Sequence, residues 1–318
     1  MGNDSDGFHI DNYKGYHTAG AMTRIYGGGV NPDAVNVILQ FAASGESEEI
    51  SLLDYGCGYG RYIALAEYLG ERGFKVNYVA YDPFVQALQQ CEGNLVGKNY
   101  TRIGGADLNA DFDVMPKDMS YAGPIYTNGN VTVTLLHGEF HVNPDRIRQL
   151  IGERDISLCM LGTLSHVSEF DERVEIMRMF DKMSRLGLIM ELPNKDIAWK
   201  DEQAKYQELA RTQGGVFGLK NPGISDIYYS RPNGHGGELQ IYLHLYDKDT
   251  LNQELNSAGI NNALVTGTTA TAKVPVRDFA ASVRRQSLEQ SPDFMVVLAK
   301  KNIDIQVDIG VVLGPGRI

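Results

Sequence analysis

The sequence predicts an α/β fold in which a doubly wound, mostly parallel, seven-stranded sheet is interrupted by one inserted segment. Three observations carry that expectation. The run Ser51-Leu52-Leu53-Asp54-Tyr55 leads into glycines at alternate positions, Gly56, Gly58 and Gly60, and then into a helical apolar pattern through Ile63, Ala64, Ala66, Tyr68 and Leu69. Further strand-like runs at 75–81, 131–136, 155–161 and 186–192 alternate with helical patterns, giving the order βαβαβαβαβ with right-handed crossovers. The stretch Asp155-Ile156-Ser157-Leu158-Cys159-Met160-Leu161 is almost continuously apolar, as a strand covered on both faces must be.

The glycine loop has its own chemistry. A residue without a Cβ takes positive φ cheaply and lets a ligand lie against the backbone. The helix that follows aims its unpaired N–H groups at whatever occupies the loop. A dinucleotide fingerprint G-x-G-x-x-G counted from Gly56 needs a third glycine at position 61, where the chain has Arg61. Read instead as acid-x-G-x-G-x-G, every position is filled, by Asp54, Gly56, Gly58 and Gly60. The second strand, Lys75 to Tyr81, ends at Asp82, which is followed by Pro83 and a helix through Phe84, Ala87 and Leu88. Asp82 lies 22 residues beyond Gly60, and an acid about 20 residues past such a loop accepts hydrogen bonds from ribose hydroxyls. Taken singly, the glycines also fit a ligand-free turn and Asp82 a helix cap. Taken together, they point to a nucleoside.

The set Asp54, Gly56, Gly58 and Gly60 resembles motif I of the class I S-adenosylmethionine (SAM)-dependent methyltransferases. That resemblance implies a Rossmann-like fold with SAM as cofactor, its methionine and ribose wrapped by the loop and its ribose held by Asp82. It also implies that residues after the third strand, Glu139 and Phe140, edge the adenine. Ligands of open α/β sheets lie at the carboxyl ends of the strands, so the tip of the fourth, Gly162-Thr163-Leu164-Ser165-His166-Val167, is expected to face the transferable methyl. Relatives that methylate nucleobase or glutamine amides carry a proline-rich N-P-P-type turn here, and this chain has none. The expected acceptor atom is therefore an oxygen, nitrogen or carbon of a small molecule.

Composition agrees with a small acceptor. The chain has 318 residues, 43% of them hydrophobic, and a formal net charge of −11, which argues against affinity built on neutralising a phosphate backbone. Cys57, Cys91 and Cys159 form no C-x-x-C pair and fit a reducing cytoplasm. No apolar run has the length needed to span a bilayer. The histidines are dispersed, with only His137 and His141 near a ligand-like spacing, and no metal is expected. The expected partner is a small-molecule acceptor, with neither nucleic acid nor membrane. The oligomeric state is left open, a homodimer being the candidate.

In chain order, residues 1–48 read as an N-terminal lid segment and a helix. The aromatic and basic residues before Gly27 suit a lid over the cofactor, with Tyr26 as a substrate-binding residue, or, equally, a loosely attached tail. Asn31-Pro32 opens the helix, with Val35, Ile38 and Phe41 on one face. Residues 49–194 are the SAM-binding core, within which 93–129 read as an insertion or long loop before the third strand. Ser168 is placed as the cap of the helix that carries Val174, Ile176, Met177, Phe180 and Met183; the two methionines at helical spacing read as core. Residues 195–246 form an inserted segment beside the mouth of the site, and in the resembled family such insertions shape the acceptor pocket. Trp199, Tyr229, Arg231 and His244, with Tyr228 and Tyr242, then bind substrate, or else make up an ordinary hairpin and its core. Residues 247–301 supply a short helix and the last two strands, the second antiparallel, and 302–318 a tail with one further strand.

SAM carries an activated methyl, so catalysis reduces to aligning the acceptor and, where it must lose a proton, supplying a base. His166, at the fourth strand's tip, is the candidate base; a histidine bonded to a neighbouring carbonyl is the alternative. Two other functions remain open. A SAM-using enzyme of the same fold could cleave or cyclise SAM or transfer another part of it, and an NAD(P)-dependent oxidoreductase is disfavoured by Arg61.

Overall fold

The computed structural model of the chain describes residues 30–44, 47–108, 120–138, 144–196, 201–213, 223, 225–232, 238–261, 263–268, 293–300 and 310–313. Helix α1 (Pro32–Ser44) is capped by Asn31, whose Oδ1 accepts the N–H groups of Asp33 and Ala34 at 2.9 and 3.4 Å. Proline at the first helical position wastes no hydrogen bond, since that N–H has no intrahelical partner. The chain then runs through β1 (Glu49–Tyr55), α2 (Ile63–Glu71), β2 (Lys75–Asp82), α3 (Val85–Gly97), β3 (Thr101–Gly104), β4 (Ser120–Asn128), β5 (Val131–Gly138), α4 (Pro144–Ile151) and β6 (Arg154–Cys159). A 3-10 turn, Thr163–His166, precedes α5 (Phe170–Met183) and β7 (Ser184–Pro193). The remainder comprises α6 (Gln203–Gln213), β8 (Asp226–Pro232), β9 (Glu238–His244), α7 (Lys248–Ala258), β10 (Ala263–Thr268), β11 (Asp293–Ala299) and β12 (Gly310–Leu313).

All strands but β8 and β9 join one sheet in the order β12-β10-β11-β7-β6-β1-β2-β5-β4-β3. The five central strands from β7 to β5 are parallel, whereas β11 is antiparallel to both β7 and β10, as expected for the last core strand. The fold is Rossmann-like. Its strands lie between two apolar layers: Val35, Ile38, Phe41, Leu65, Leu69 and Leu88 of α1, α2 and α3 cover one face, and Met177, Phe180, Met183, Leu251 and Leu255 of α5 and α7 cover the other. From β1 the chain steps one way to β2 and β5; from β6 it steps the other way to β7. The crevice between the carboxyl ends of β1 and β6 is thus the topological switch point, where open α/β sheets hold ligands.

Three expectations need correction, and one gains a role. Among the described residues the sheet has ten strands rather than seven: the 93–129 region is not a plain loop, since α3 runs on to Gly97 and β3 and β4 extend the sheet antiparallel beyond β5, and β12 adds the third extra strand. The bulged β3–β4 and β4–β5 registers explain why no clean alternation marked these strands. At the opposite edge, β12 pairs with β10 and covers it, which gives the apolar tail a purpose. Ser168 does not cap α5: Glu169 holds the cap position without a side-chain bond, and the Ser168 hydroxyl has no partner among the described residues.

The segment 195–246 folds onto itself. Strands β8 and β9 form a separate antiparallel pair, and Tyr228 and Tyr242 pack with Ala210 and Leu209 of α6 as its small core. Its two ends meet: Tyr246 N–H donates to Pro193 O at 3.0 Å and Lys195 N–H donates to Tyr246 O at 2.7 Å. Leu251 and Leu255 of α7 are buried, and Asp247 caps that helix by accepting from Thr250 N at 2.8 Å.

Candidate functional site

Strand β1 delivers Asp54 and then the glycine loop to the switch point. Gly56, Gly58 and Gly60 all have left-handed backbone, with φ of 72°, 54° and 77°. The first two do different jobs. A Cβ on Gly56 would lie 2.2 Å from Thr163 Cγ2, so the loop is pressed against the tip of β6. A Cβ on Gly58 would meet no atom of the described residues within 4 Å, so among these residues that peptide leaves room for a ligand. The loop is tied to β2 by Gly56 and Cys57 N–H groups, which donate to Tyr81 O at 2.8 and 3.0 Å.

Asp82 is a hinge pin between the loop and the next helix. Its Oδ2 accepts Gly58 N–H at 2.8 Å and its Oδ1 accepts Phe84 N–H at 2.9 Å. A carboxylate has about four acceptor positions, so two remain for hydroxyl donors of a ligand. Asp54, 2% exposed, accepts the Tyr78 hydroxyl. Burial pushes the Asp54 carboxyl up to about 7, opposed by the Tyr78 hydrogen bond and the charge of Arg61. Burial likewise pushes Asp82 up to about 7, against its two N–H donors and with a further push from Asp54. The crevice therefore contains two acids that ionise reluctantly and would do so more readily beside a cation.

The tip of β6 carries Gly162, then Thr163, whose side chain lies against this loop, and then His166. Leu161 and Gly162 are both left-handed, with φ of 60° and 71°, a conformation that costs a non-glycine residue about 1–2 kcal/mol. Glu191, at the carboxyl end of β7, holds them there: its Oε2 accepts Leu161 N–H at 3.2 Å and its main-chain oxygen accepts Gly162 N–H at 3.0 Å. Thr163 Oγ1 donates to Met160 O at 2.8 Å. The Nδ1 of His166 lies 3.0 Å from Tyr242 O in β9. A carbonyl only accepts, so Nδ1 carries a proton in this contact. Of the two sequence alternatives for His166, a base and a carbonyl-bonded ring, this contact is that of the carbonyl-bonded ring.

The α1 N-terminus also reaches this end of the sheet. Asn31 N–H donates to the Tyr62 hydroxyl at 3.2 Å, and Asn31 Nδ2 donates to Thr268 Oγ1, at the end of β10, at 2.8 Å. His137 is committed elsewhere, with Nε2 2.9 Å from Pro83 O, and burial lowers its pKa. Among the described residues no three His, Cys, Asp or Glu side chains could hold a metal ion, and no helix is long and apolar enough to cross a membrane.

The structure thus brings Asp54, Gly56, Gly58, Gly60, Asp82, Gly162, Thr163 and His166 to one end of the sheet. His244 is placed differently: it is 6% exposed and held between Asp226, Arg173 and Glu254. Tyr229 and Arg231 lie on β8. Tyr26, Glu139, Phe140 and Trp199 lie outside the described residues. Sequence reasoning missed Glu191 as well as the Arg173–Glu254 pair. A signal existed in each case: Glu191 is the one acid within the apolar run Leu186 to Leu192, and Arg173 and Glu254 occupy apolar-face positions of their helices.

The chain matches no family model and no curated protein. Among solved structures it is similar to the CcbJ methyltransferase from Streptomyces caelestis, with 15% identity, 84% of this chain and 88% of that chain covered, and a TM-score of 0.47. A S-adenosylmethionine-dependent methyltransferase from Clostridium acetobutylicum ATCC 824 matches with 10% identity, 85% and 92% covered, and a TM-score of 0.46. The plantazolicin methyltransferase BamL, in complex with a triazolic desmethylPZN analog and SAH, matches with 12% identity, 90% and 88% covered, and a TM-score of 0.44. Similarity at this level fixes neither cofactor nor acceptor.

Proposed function

We propose that this protein is a SAM-dependent methyltransferase acting on a small-molecule acceptor. The observation that carries the reading is the pairing of a left-handed glycine loop with two buried acids, Asp54 and Asp82, at the switch point. A dinucleotide would bring a pyrophosphate dianion against those acids, which like-charge repulsion disfavours. SAM is a nucleoside whose amino-acid arm carries a sulfonium and an ammonium, so the same two acids attract it, and Asp82 retains acceptor positions for its ribose hydroxyls. When bound, it would supply an activated methyl group. The residues of the chain then have limited tasks: Gly58 leaves room for the cofactor, Gly162 and Thr163 border its methyl end, and His166 Nε2 takes a proton from the acceptor. The cap formed by α6, β8 and β9 excludes water and encloses the acceptor, as small-molecule sites require. Tyr26, Trp199, Tyr229 and Arg231 belong to this reading as acceptor contacts and Glu139 and Phe140 as adenine contacts; His244 instead serves by holding the cap.

Binding decides the cofactor. S-adenosylhomocysteine should bind and raise the melting temperature, while NADH should do neither. Calorimetry giving tight NADH binding and none for S-adenosylhomocysteine would overturn the proposal. Asp82→Ala should weaken S-adenosylhomocysteine by about 1.5–3 kcal/mol, the range for hydrogen bonds to a charged group, with the circular dichroism spectrum retained; unchanged affinity would remove Asp82 from the site. The glycines make a second test. Gly58→Ala meets no described residue with its methyl, so it should cost only about 1–2 kcal/mol of stability from its backbone and lose most cofactor affinity. Gly56→Ala adds a clash with Thr163 and should destabilise the fold by a further 1–3 kcal/mol or so. Urea titrations showing the two variants equally stable would contradict this division of labour. Label from methyl-labelled SAM appearing in large RNA or DNA, not in a small product, would overturn the acceptor class and leave the cofactor site standing. A product assay separates methyl transfer from cleavage or cyclisation of SAM.

A further inference from the structure

A two-stranded ribbon such as β8–β9 is marginal by itself, so what places it over the tip of β6 is a question of anchors. The anchors form one continuous chain of buried polar contacts. Arg173 of α5, 3% exposed, donates Nε and Nη2 to Glu254 Oε1 of α7 at 2.9 and 2.7 Å and Nη1 to the carbonyls of Val167 and Ser168 at 2.9 and 2.8 Å. Its Nη2 also lies 3.5 Å from His244 Nε2. The other ring nitrogen, His244 Nδ1, lies 2.9 Å from Asp226 Oδ1, and that same oxygen accepts the Tyr242 hydroxyl at 2.6 Å. Asp226 Oδ2 accepts Gly223 N–H at 2.5 Å, which closes the start of β8 onto the same carboxylate. Asp226 and His244 are cross-strand partners, as are Tyr228 and Tyr242. The last link is main chain: Tyr242 O receives His166 Nδ1 at 3.0 Å.

We propose that Asp226 is a positioning residue for His166, acting through Tyr242. By holding the Tyr242 hydroxyl and the His244 ring together, Asp226 fixes the β9 backbone so that the Tyr242 carbonyl keeps the imidazole proton on Nδ1. A histidine whose far nitrogen is held by an oxygen acceptor has its tautomer and ring orientation set by that acceptor. Here the acceptor comes from the inserted segment rather than from the sheet, so the orientation of the base depends on the cap being seated. This rests on the reading of His166 as the base.

The test is spectroscopic and needs no acceptor. Long-range ¹H–¹⁵N correlation of the full-length protein, with the His166 signal assigned by its loss in His166→Asn, should show the Nδ1–H tautomer almost alone at pH 7.5–8. In Asp226→Asn and in Tyr242→Phe, which removes only the hydroxyl, the Nε2–H form should become the major one. An Nε2–H tautomer in the unmodified protein, or an unchanged Nδ1–H tautomer in folded Tyr242→Phe and Asp226→Asn, overturns the proposal; a fall in melting temperature alone marks Asp226 as merely structural. S-adenosylhomocysteine titrated into the same samples should bind all of them alike, because Asp226 lies outside the glycine loop. Its failure to bind even the unmodified protein would sink the cofactor reading without touching the tautomer result.

Discussion

Arg173→Met is expected to destabilise the protein by about 3–5 kcal/mol, the usual consequence of removing one partner of a buried ion pair. The guanidinium is 96% shielded at the side-chain level and Glu254 completely so, with Arg173 Nη2 and Glu254 Oε1 2.7 Å apart. Deleting the cation leaves the Glu254 carboxylate in a low-dielectric interior and takes the donor away from the Val167 and Ser168 carbonyls. Changing both partners, Arg173→Met with Glu254→Leu, should recover much of the loss, since an apolar pair of similar volume needs no compensating charge. Denaturant titration of the three variants checks this directly. A single substitution costing under about 1 kcal/mol, or a double variant weaker than the sum of both singles, would mean that the network contributes little to holding the cap on the core.

The second large effect is a reversed pH dependence. Asp54 and Asp82 titrate near 7 in the fold, and an unfolded aspartate near 3.8. Below pH 4 both states are protonated at these positions. From about pH 4 to 7 the native state holds protons that the unfolded chain has lost, so stability falls as pH rises; above 7 the full penalty is in place. Each acid contributes of order 4 kcal/mol across that span if titrated alone. The two share one crevice and titrate as a pair, so the sum is smaller. Asp226 and Asp247 are held below the usual carboxylate range, so their stabilisation is lost only as pH falls below about 4, outside the window. His137, lowered by burial, opposes the trend near and below pH 6.5. Unfolding followed from pH 5 to 8 should nonetheless show a net decline of a few kcal/mol in the ligand-free protein, and Asp82→Asn should flatten it. SAM, with its fixed positive charge, should lessen the decline and bind more tightly as pH rises. Stability that climbs steadily from pH 5 to 8 would show that neither carboxyl is raised.

The parts that were legible in the sequence are those set by local chemistry. Alternating glycines, an acid at each strand end and near-continuous apolar runs announce a parallel sheet and its switch point, because backbone sterics and burial act over a few residues. Asn31 caps α1 as its residue type predicts. Ser168 does not cap α5, although it has the same capacity, because tertiary packing draws its carbonyl to Arg173 and places Glu169 at the helix start. Partners far apart in the chain were not legible. Arg173 and Glu254 are 81 residues apart, and His166 and Tyr242 are 76 apart. Nothing in local periodicity states which distant acid a buried arginine meets. Strands β3 and β4 were hidden for another reason, since their bulges break the alternation by which strands are read.

The clasp between Pro193, Lys195 and Tyr246 makes the inserted segment exchangeable. Both of its ends leave the core at one point, so the framework itself holds the loop closed whatever lies between. Doubling the length of such a loop costs only about 0.6 kcal/mol in closure entropy. Lineages could therefore lengthen, shorten or replace residues 196–245 with little penalty to the sheet, provided that each new segment again offers a carbonyl to His166. Changes in acceptor preference would then arise by substituting whole segments, while Asp54, Asp82 and the glycine loop stay fixed.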